Sequence, residues 1–150
     1  MVGMSEENLE LVREGFNRFL AADFEAILAF FMDVAAPDVE IYSRFTGLAG
    51  EPFRGHAGVR AWLAEWDEGF ERFEPRLDQI FEVDDERVVA LGGISFRARA
   101  SGVDMDAPIG WIQEFREGKL QRMRVYGSQA EALEAAGVNQ PPAEPDPAGR

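Results

Sequence analysis

Apolar residues recur along the chain at spacings that change from one segment to the next. Leu9, Val12, Phe16, Phe19 and Leu20 form one stripe, and Phe24, Ile27, Leu28 and Phe31 a second. Intervals of three and four put each set on one face of a helix. Ser5 and Asp23 stand where each helix needs an N-cap, and Glu6 and Glu7 fall at the positive end of the first dipole. The first helix is expected to end near Ala21 or Ala22. Pro37-Asp38 breaks the second pattern, and the alternation in VEIYSRF predicts a strand over 39–45.

The densest helical pattern follows the Gly-rich loop TGLAGEPFRG. Val59, Trp62, Leu63, Trp66, Phe70 and Phe73 repeat at helical spacing, with Arg60, Glu65, Glu68, Glu71 and Arg72 on other faces. Pro75 has no N–H to continue a helix and is expected to end it. Strand-like sequence then runs to Ser128, with turns at Asp84-Asp85-Glu86, Ser101-Gly102 and Glu117-Gly118. Four antiparallel strands are predicted, over 76–83, 87–100, 103–116 and 119–127. Ser128 and Glu131 have capping-box spacing, so a short helix through Ala136 should close the domain before Gly137. The remainder, NQPPAEPDPAGR, is Pro-rich without apolar periodicity, which implies one domain over 1–138 and a disordered tail over 139–150.

The element order ααβαββββα is an α+β arrangement, with helices gathered on one face of a single antiparallel sheet. Gly92-Gly93 lies mid-strand, where missing side chains mark a bulge or bend. The sheet is therefore expected to curl into a cone around the tryptophan-bearing helix and to leave a hollow.

Composition narrows the chemistry. A chain of 150 residues that is 46% hydrophobic can bury one core. With 28 acidic and 15 basic residues its formal charge is -13, which repels phosphate backbones and anionic membrane surfaces. Neither nucleic acid nor membrane is expected as a partner. Without cysteine there are no disulfides, thiolate metal sites or Cys nucleophiles, and a single His argues against zinc or iron centres. No metal or other cofactor is expected. The N-terminus lacks the pattern of a signal peptide, and no apolar run is long enough to span a membrane, so a cytoplasmic location is expected. His56 follows Gly55 at the start of the tryptophan-bearing helix, where the dipole disfavours the imidazolium. A helix-start role outweighs that of general base.

The chain resembles the SnoaL-like proteins of the nuclear transport factor two-like superfamily, which share a ketosteroid isomerase-like cone. The resemblance covers residues 5–138 and rests on the N-terminal helix pair, FRGHAGVRAWLAEW, DDERVVAL followed by RARASGVDMDAP, FREGKLQRMRVYGS, and AEALEAAGV. It implies this fold and a range of activities, among them polyketide cyclases, isomerases, epoxide hydrolases, dehydratases and non-catalytic binding subunits. The resemblance to the epoxide hydrolases places Val125 where those enzymes carry an active-site Asp, and their Arg-x-Asp pair falls near Gly92 and Ile94, so that mechanism is disfavoured. Their water-holding Tyr-x-Asn corresponds to Tyr42-Ser43-Arg44. Phe16 stands in place of the oxyanion-donating Tyr of the ketosteroid isomerases, which disfavours that activity too.

In the hairpin closing at Glu117-Gly118, regular pairing puts Gly110, Ile112, Glu114, Gln121, Met123 and Val125 on one side. Trp111, Gln113, Phe115, Leu120, Arg122, Arg124 and Tyr126 then fall on the other. Periodicity leaves either side free to line the cone, and the hydrolase resemblance puts the Glu114 side inward. On that placement Glu114 is the acid-base candidate, Tyr42 and Arg44 would stabilise developing negative charge, and Phe16, Trp62, Trp66, Ile112, Gln121, Met123 and Val125 would contact substrate. The opposite placement leaves Glu114 in solvent or at an interface. Asp104 with Asp106 fit a solvated strand end, and Arg97, Arg99, Arg122 and Arg124 either hold a carboxylate ligand or pair with the acidic surface. The expected function is small-molecule binding, extended to isomerase, cyclase or lyase chemistry on an apolar polycyclic or terpenoid-like substrate. The alternative is a non-catalytic ligand-binding or dimerisation module. A homodimer through the outer sheet face is expected from the Trp111, Phe115, Leu120 and Tyr126 side, which would be a large apolar patch if left bare.

Overall fold

The computed structural model describes residues 4–20, 24–43 and 51–138, the side chains of Met4 and Ser5 excepted. The first helix already begins at Met4, so Ser5 lies inside its first turn and not ahead of it as a cap, while the cap expected at Asp23, Arg44, and the tail over 139–150 lie outside the described residues. Helix α1 spans Met4–Leu20 and α2 Phe24–Val34; strand β1 (Ala35–Tyr42) and the two-residue β2 (Phe53–Arg54) lead into α3 (Gly55–Gly69). Strands β3 (Phe70–Glu82), β4 (Arg87–Ala98), β5 (Asp104–Arg116) and β6 (Lys119–Tyr126) follow, then α4 (Gln129–Ala136).

The strands form one six-stranded sheet in the order β2-β1-β6-β5-β4-β3. The α+β class and the curved sheet match the expectation, but the sheet is mixed, because β1 runs parallel to β6. A strand separated from its neighbour by more than half the chain is free to pair in either direction, and periodicity carries no information on which.

The predicted long helix stops six positions before Pro75. Gly69 ends α3, Phe70 is already extended at φ -126° and ψ 132°, and Phe70 and Phe73 belong to β3. They still meet the helix, since their rings lie 4.6 and 4.0 Å from that of Trp66. Pro75 is tolerated because β3 is an edge strand, where a missing N–H breaks no second ladder. Two residues further along β3, Leu77 pairs with Gly92 next to a register shift between Leu77 and Gln79, and a Cβ on Gly92 would lie 1.8 Å from the Arg76 carbonyl oxygen. Only a glycine lets the bulged edge fold over β4 in this way.

Alternation along β4 divides the interior in two. Val88, Ala90 and Ile94 join the main core with α1, α2 and α3, whereas Val89 and Leu91 join Phe81, Ile112, Ala132 and Ala136 under α4. The helices are thus not all on one face, as α4 covers part of the outer one. Gly110 permits this: a Cβ there would meet Ala132 Cβ at 2.4 Å. The α4 termini follow the sequence signals, with Ser128 Oγ accepting from the Glu131 N–H and Gly137 closing the helix at φ 79°.

His56 Nε2 lies 3.0 Å from the Ala35 carbonyl oxygen, so the imidazole donates to β1. It fastens the first turn of α3 to the sheet instead of capping free N–H groups, and Gly55 makes the turn into the helix at φ 69°.

Candidate functional site

The concave face is set by one residue. In the β5–β6 hairpin Phe115 pairs with Leu120, yet Glu114 pairs with Arg122, leaving Gln121 as an extra residue. A one-residue insertion reverses the facing of everything beyond it. Trp111 therefore opposes Val125 and Gln113 opposes Met123 on the inner side, while Ile112 opposes Arg124 on the outer side. Gln121 secures the bulge through its Nε2, which donates to Asp38 Oδ1 at 3.0 Å, where β1 carries its own irregularity between Ala35 and Glu40.

Inside the cone lies a cavity of about 50 Å³. Its walls come from α1 (Val12, Gly15, Phe16, Phe19), α2 (Phe30, Phe31), α3 (Trp62, Trp66) and the sheet (Phe73, Ile94, Trp111, Gln113, Met123, Val125), among others. Edge-on contacts hold the rings, with Phe16 4.9 Å from Trp111 and Phe31 5.5 Å from Trp62. All three tryptophans of the chain border the cavity. No described lining residue carries an ionisable side chain. Among the described lining residues, Gln113 brings a carboxamide. Trp62 is 4% exposed, and its Nε1 is buried with no hydrogen-bond partner among the described residues.

A second hollow of about 140 Å³ adjoins the first, sharing Phe19, Trp66 and Phe73 with it. It is bordered also by Phe24, Ile27, Leu63 and Phe70 and by the polar Asp67, Glu71 and Arg99. Arg99 Nε donates to the Asp67 carbonyl oxygen at 3.1 Å.

Of the residues singled out from sequence, Phe16, Trp62, Trp66, Met123 and Val125 border the inner cavity. Ile112 is instead packed under α4. The inward placement of Glu114 is corrected by the bulge: its Oε2 accepts from Arg122 Nη1 at 3.3 Å on the outer face. Tyr42 is on that face as well, donating to Glu40 Oε1 at 3.2 Å, and Arg124 stacks 5.1 Å above its ring. Burial works against ionisation of Glu40, but hydrogen bonds from Arg122, Tyr42 and Arg54 outweigh it and lower its pKa. The apolar patch expected on the outside is corrected too, because Trp111, Phe115 and Leu120 turn into the core and only Tyr126 stays outside. The four arginines do not converge: Arg97 holds Asp104 at 2.7 Å, Arg122 bridges Glu40 and Glu114, and Arg99 and Arg124 lie apart on their own partners. Among the described residues no acidic or His cluster could hold a metal ion.

Gln113 and Trp111 were missed as wall residues. The available signal was the spacing of Leu120, Met123 and Val125, which are three and then two apart. That is irregular for a strand and marks an inserted residue.

A family model for the SnoaL-like domain matches residues 12–123, most of the chain. The chain belongs to the SnoaL-like family. This SnoaL-like protein resembles in fold a candidate SnoaL-like polyketide cyclase from Jannaschia sp. CCS1, at 19% identity over 95% of this chain and 98% of that one, with a TM-score of 0.73. An NTF2-like protein of unknown function from Burkholderia pseudomallei K96243 is 24% identical over 85% and 95% of the two chains, with a TM-score of 0.69. TerC, co-crystallised with polyporic acid, is 24% identical over 88% and 99%, with a TM-score of 0.67. At these identities the likeness is one of fold. A search of curated proteins finds no match. No helix among the described residues is long and apolar enough to cross a membrane.

Proposed function

We propose that this SnoaL-like protein binds a compact apolar small molecule in its inner cavity and holds it without acid-base chemistry. The observation that carries this reading is the lining: aromatic and aliphatic side chains with one carboxamide, and no ionisable group among the described residues. Proton transfer requires a titrating group within hydrogen-bond reach of the reacting atom. Glu114, the sequence candidate for an isomerase, cyclase or lyase, is held by Arg122 on the opposite face of the sheet. Phe16, Trp62, Trp66, Met123 and Val125 serve in this reading as the ligand wall, with Trp111 and Gln113 added.

Size limits the ligand. An engineered cavity of about 150 Å³ accepts benzene, so a space of about 50 Å³ takes no ring until side chains move. Displacing Phe19, Trp66 or Phe73 would join it to the neighbouring hollow of about 140 Å³, enough for one or two rings. A polycyclic or terpenoid-like ligand would need a wider opening.

Tryptophan fluorescence is a direct reporter, since all three indoles border the cavity. Titration with one- and two-ring apolar compounds should quench it saturably. Gly15 borders the cavity, and a Cβ there meets only the Phe30 and Phe31 rings, at 3.4 and 3.9 Å. Gly15→Leu should therefore fill the space, keep the helix and weaken binding at least tenfold, whereas Glu114→Gln should leave it unchanged. Undiminished binding by Gly15→Leu would place the site elsewhere.

A further inference from the structure

The second hollow joins an aromatic wall to an unbalanced negative charge. Phe19, Phe24, Trp66, Phe70 and Phe73 bring five rings to its border, and Asp67 and Glu71 bring two acidic side chains. Asp67 and the adjacent Glu68 stand in the last turn of α3, which carries no basic residue. A helix ends on its negative pole, so carboxylates there work against the dipole where lysine or arginine would relieve it. Among the described border residues Arg99 is the one cation, and it answers the helix end, not the acids. Its backbone N–H donates to the Gly69 carbonyl oxygen at 3.0 Å and its Nε to the Asp67 carbonyl oxygen at 3.1 Å. Glu71 meets Arg97 at 3.4 Å, whereas the Asp67 carboxylate has no ion-pair or hydrogen-bond partner among the described residues.

We infer that this hollow binds an organic ammonium ion with a one-ring apolar body, the ring against the aromatic border and the cation toward Asp67 and the end of α3. The volume of about 140 Å³ suits one ring, since roughly 150 Å³ accepts benzene. Aromatic rings attract cations over their faces, and a chain of formal charge -13 draws cations from solution. An uncharged ring of the same size gains the apolar contact alone. A carboxylate meets Arg99 but also Asp67 and Glu71, so it should bind most weakly. The site goes beyond the inner cavity, whose described lining is uncharged, and does not depend on a ligand there.

The test compares 2-phenylethylammonium with 2-phenylethanol and 3-phenylpropanoate, which share a ring on a two-carbon arm and differ in charge. Calorimetry on the full chain at about 0.01 M salt, where screening is weak, should rank ammonium first, alcohol second and carboxylate last. The ammonium should bind about tenfold more tightly than the alcohol, and that ratio should fall at about 1 M salt. Asp67→Asn removes the charge and keeps the carbonyl that Arg99 uses. It should cut the ratio to about one-third or less without lowering the thermal midpoint, because it relieves the helix end. Gly15→Leu, directed at the inner cavity, should leave ammonium binding unchanged, so failure of one site is told apart from failure of the other. Equal binding of ammonium and alcohol, tighter binding of the carboxylate, or a ratio untouched by both salt and Asp67→Asn overturns the inference. So does loss of ammonium binding in Gly15→Leu, which would put the ligand in the inner cavity, or the absence of binding up to about 10 mM.

Discussion

At the scale of single residues, polar groups divide sharply between the two faces of the sheet. Among the described residues the inner cavity is lined by apolar side chains and the Gln113 carboxamide, whereas the outer face gathers Glu40, Tyr42, Glu114 and Arg122 into one hydrogen-bonded row. Glu40 has a lowered pKa, so its ionised form is stabilised by folding. Such a carboxylate contributes stability that is present above its ordinary value of 4.5 and lost as pH falls through the lower folded value. Urea unfolding should therefore give a stability that declines below about pH 5, with a shallower decline in Glu40→Gln. Asp84, lowered by the Glu86 and Arg87 N–H groups and the Arg87 side chain against the pull of burial, adds to the same acid loss and remains in that variant. An unchanged slope in Glu40→Gln would show that the row is ornamental to folding.

At the scale of elements, close backbone approach decides what packs where. Helix α4 reaches the sheet because Gly110 has no side chain, and a Cβ there would also come within 3.2 Å of the Ser128 carbonyl oxygen, at the start of that helix. Gly110→Val should push α4 outward and cost about 1–3 kcal/mol, the usual penalty for overpacking. Thermal unfolding measures the loss, and hydrogen exchange should place it in α4 and the adjoining surface of Phe81, Val89, Leu91 and Ile112. Full retention of stability would mean that α4 is only loosely seated. The other end of the sheet obeys the same logic, since the bulge on β3 fits over Gly92.

At the scale of the whole molecule, the curled sheet and three helices surround a space that side chains nearly fill, with Phe19, Trp66 and Phe73 bordering both it and the neighbouring hollow. With Trp111, Phe115 and Leu120 in the core, a homodimer through the outer sheet face would have to use the charged row of Glu40, Glu114, Arg122 and Arg124 beside Tyr126. An association of that kind weakens with salt, because screening lengths fall to about 3 Å at 1 M. Sedimentation should then find any dimer dissociating between low and high salt. A salt-resistant dimer would point to an apolar contact on some other surface.

Much of the fold was legible because it depends on local chemistry. Helical stripes in α1, α2 and α3, turns at Glu117-Gly118 and Ser101-Gly102, the Ser128 cap and the Gly137 stop all arise from residues within a few positions of one another. The family resemblance, too, was carried by contiguous segments. The end of α3 was not legible, because Phe70 and Phe73 fit a helical stripe and a strand equally well until Trp66 is placed against them. Pairing of β1 with β6 and the facing of the hairpin were decided only in three dimensions. Gln121 reads as an ordinary strand residue until Asp38, eighty-three positions away, gives its amide a partner and stabilises the extra residue. That single insertion turns Met123 and Val125 to the side of Leu120, Phe115, Gln113 and Trp111, which lines the cone, and leaves Glu114 on the other face. The sequence by itself thus determined the elements and their class, through short-range periodicity and capping. Tertiary contacts chose which side chains meet inside, because strand facing is a matter of register and register is set by distant partners.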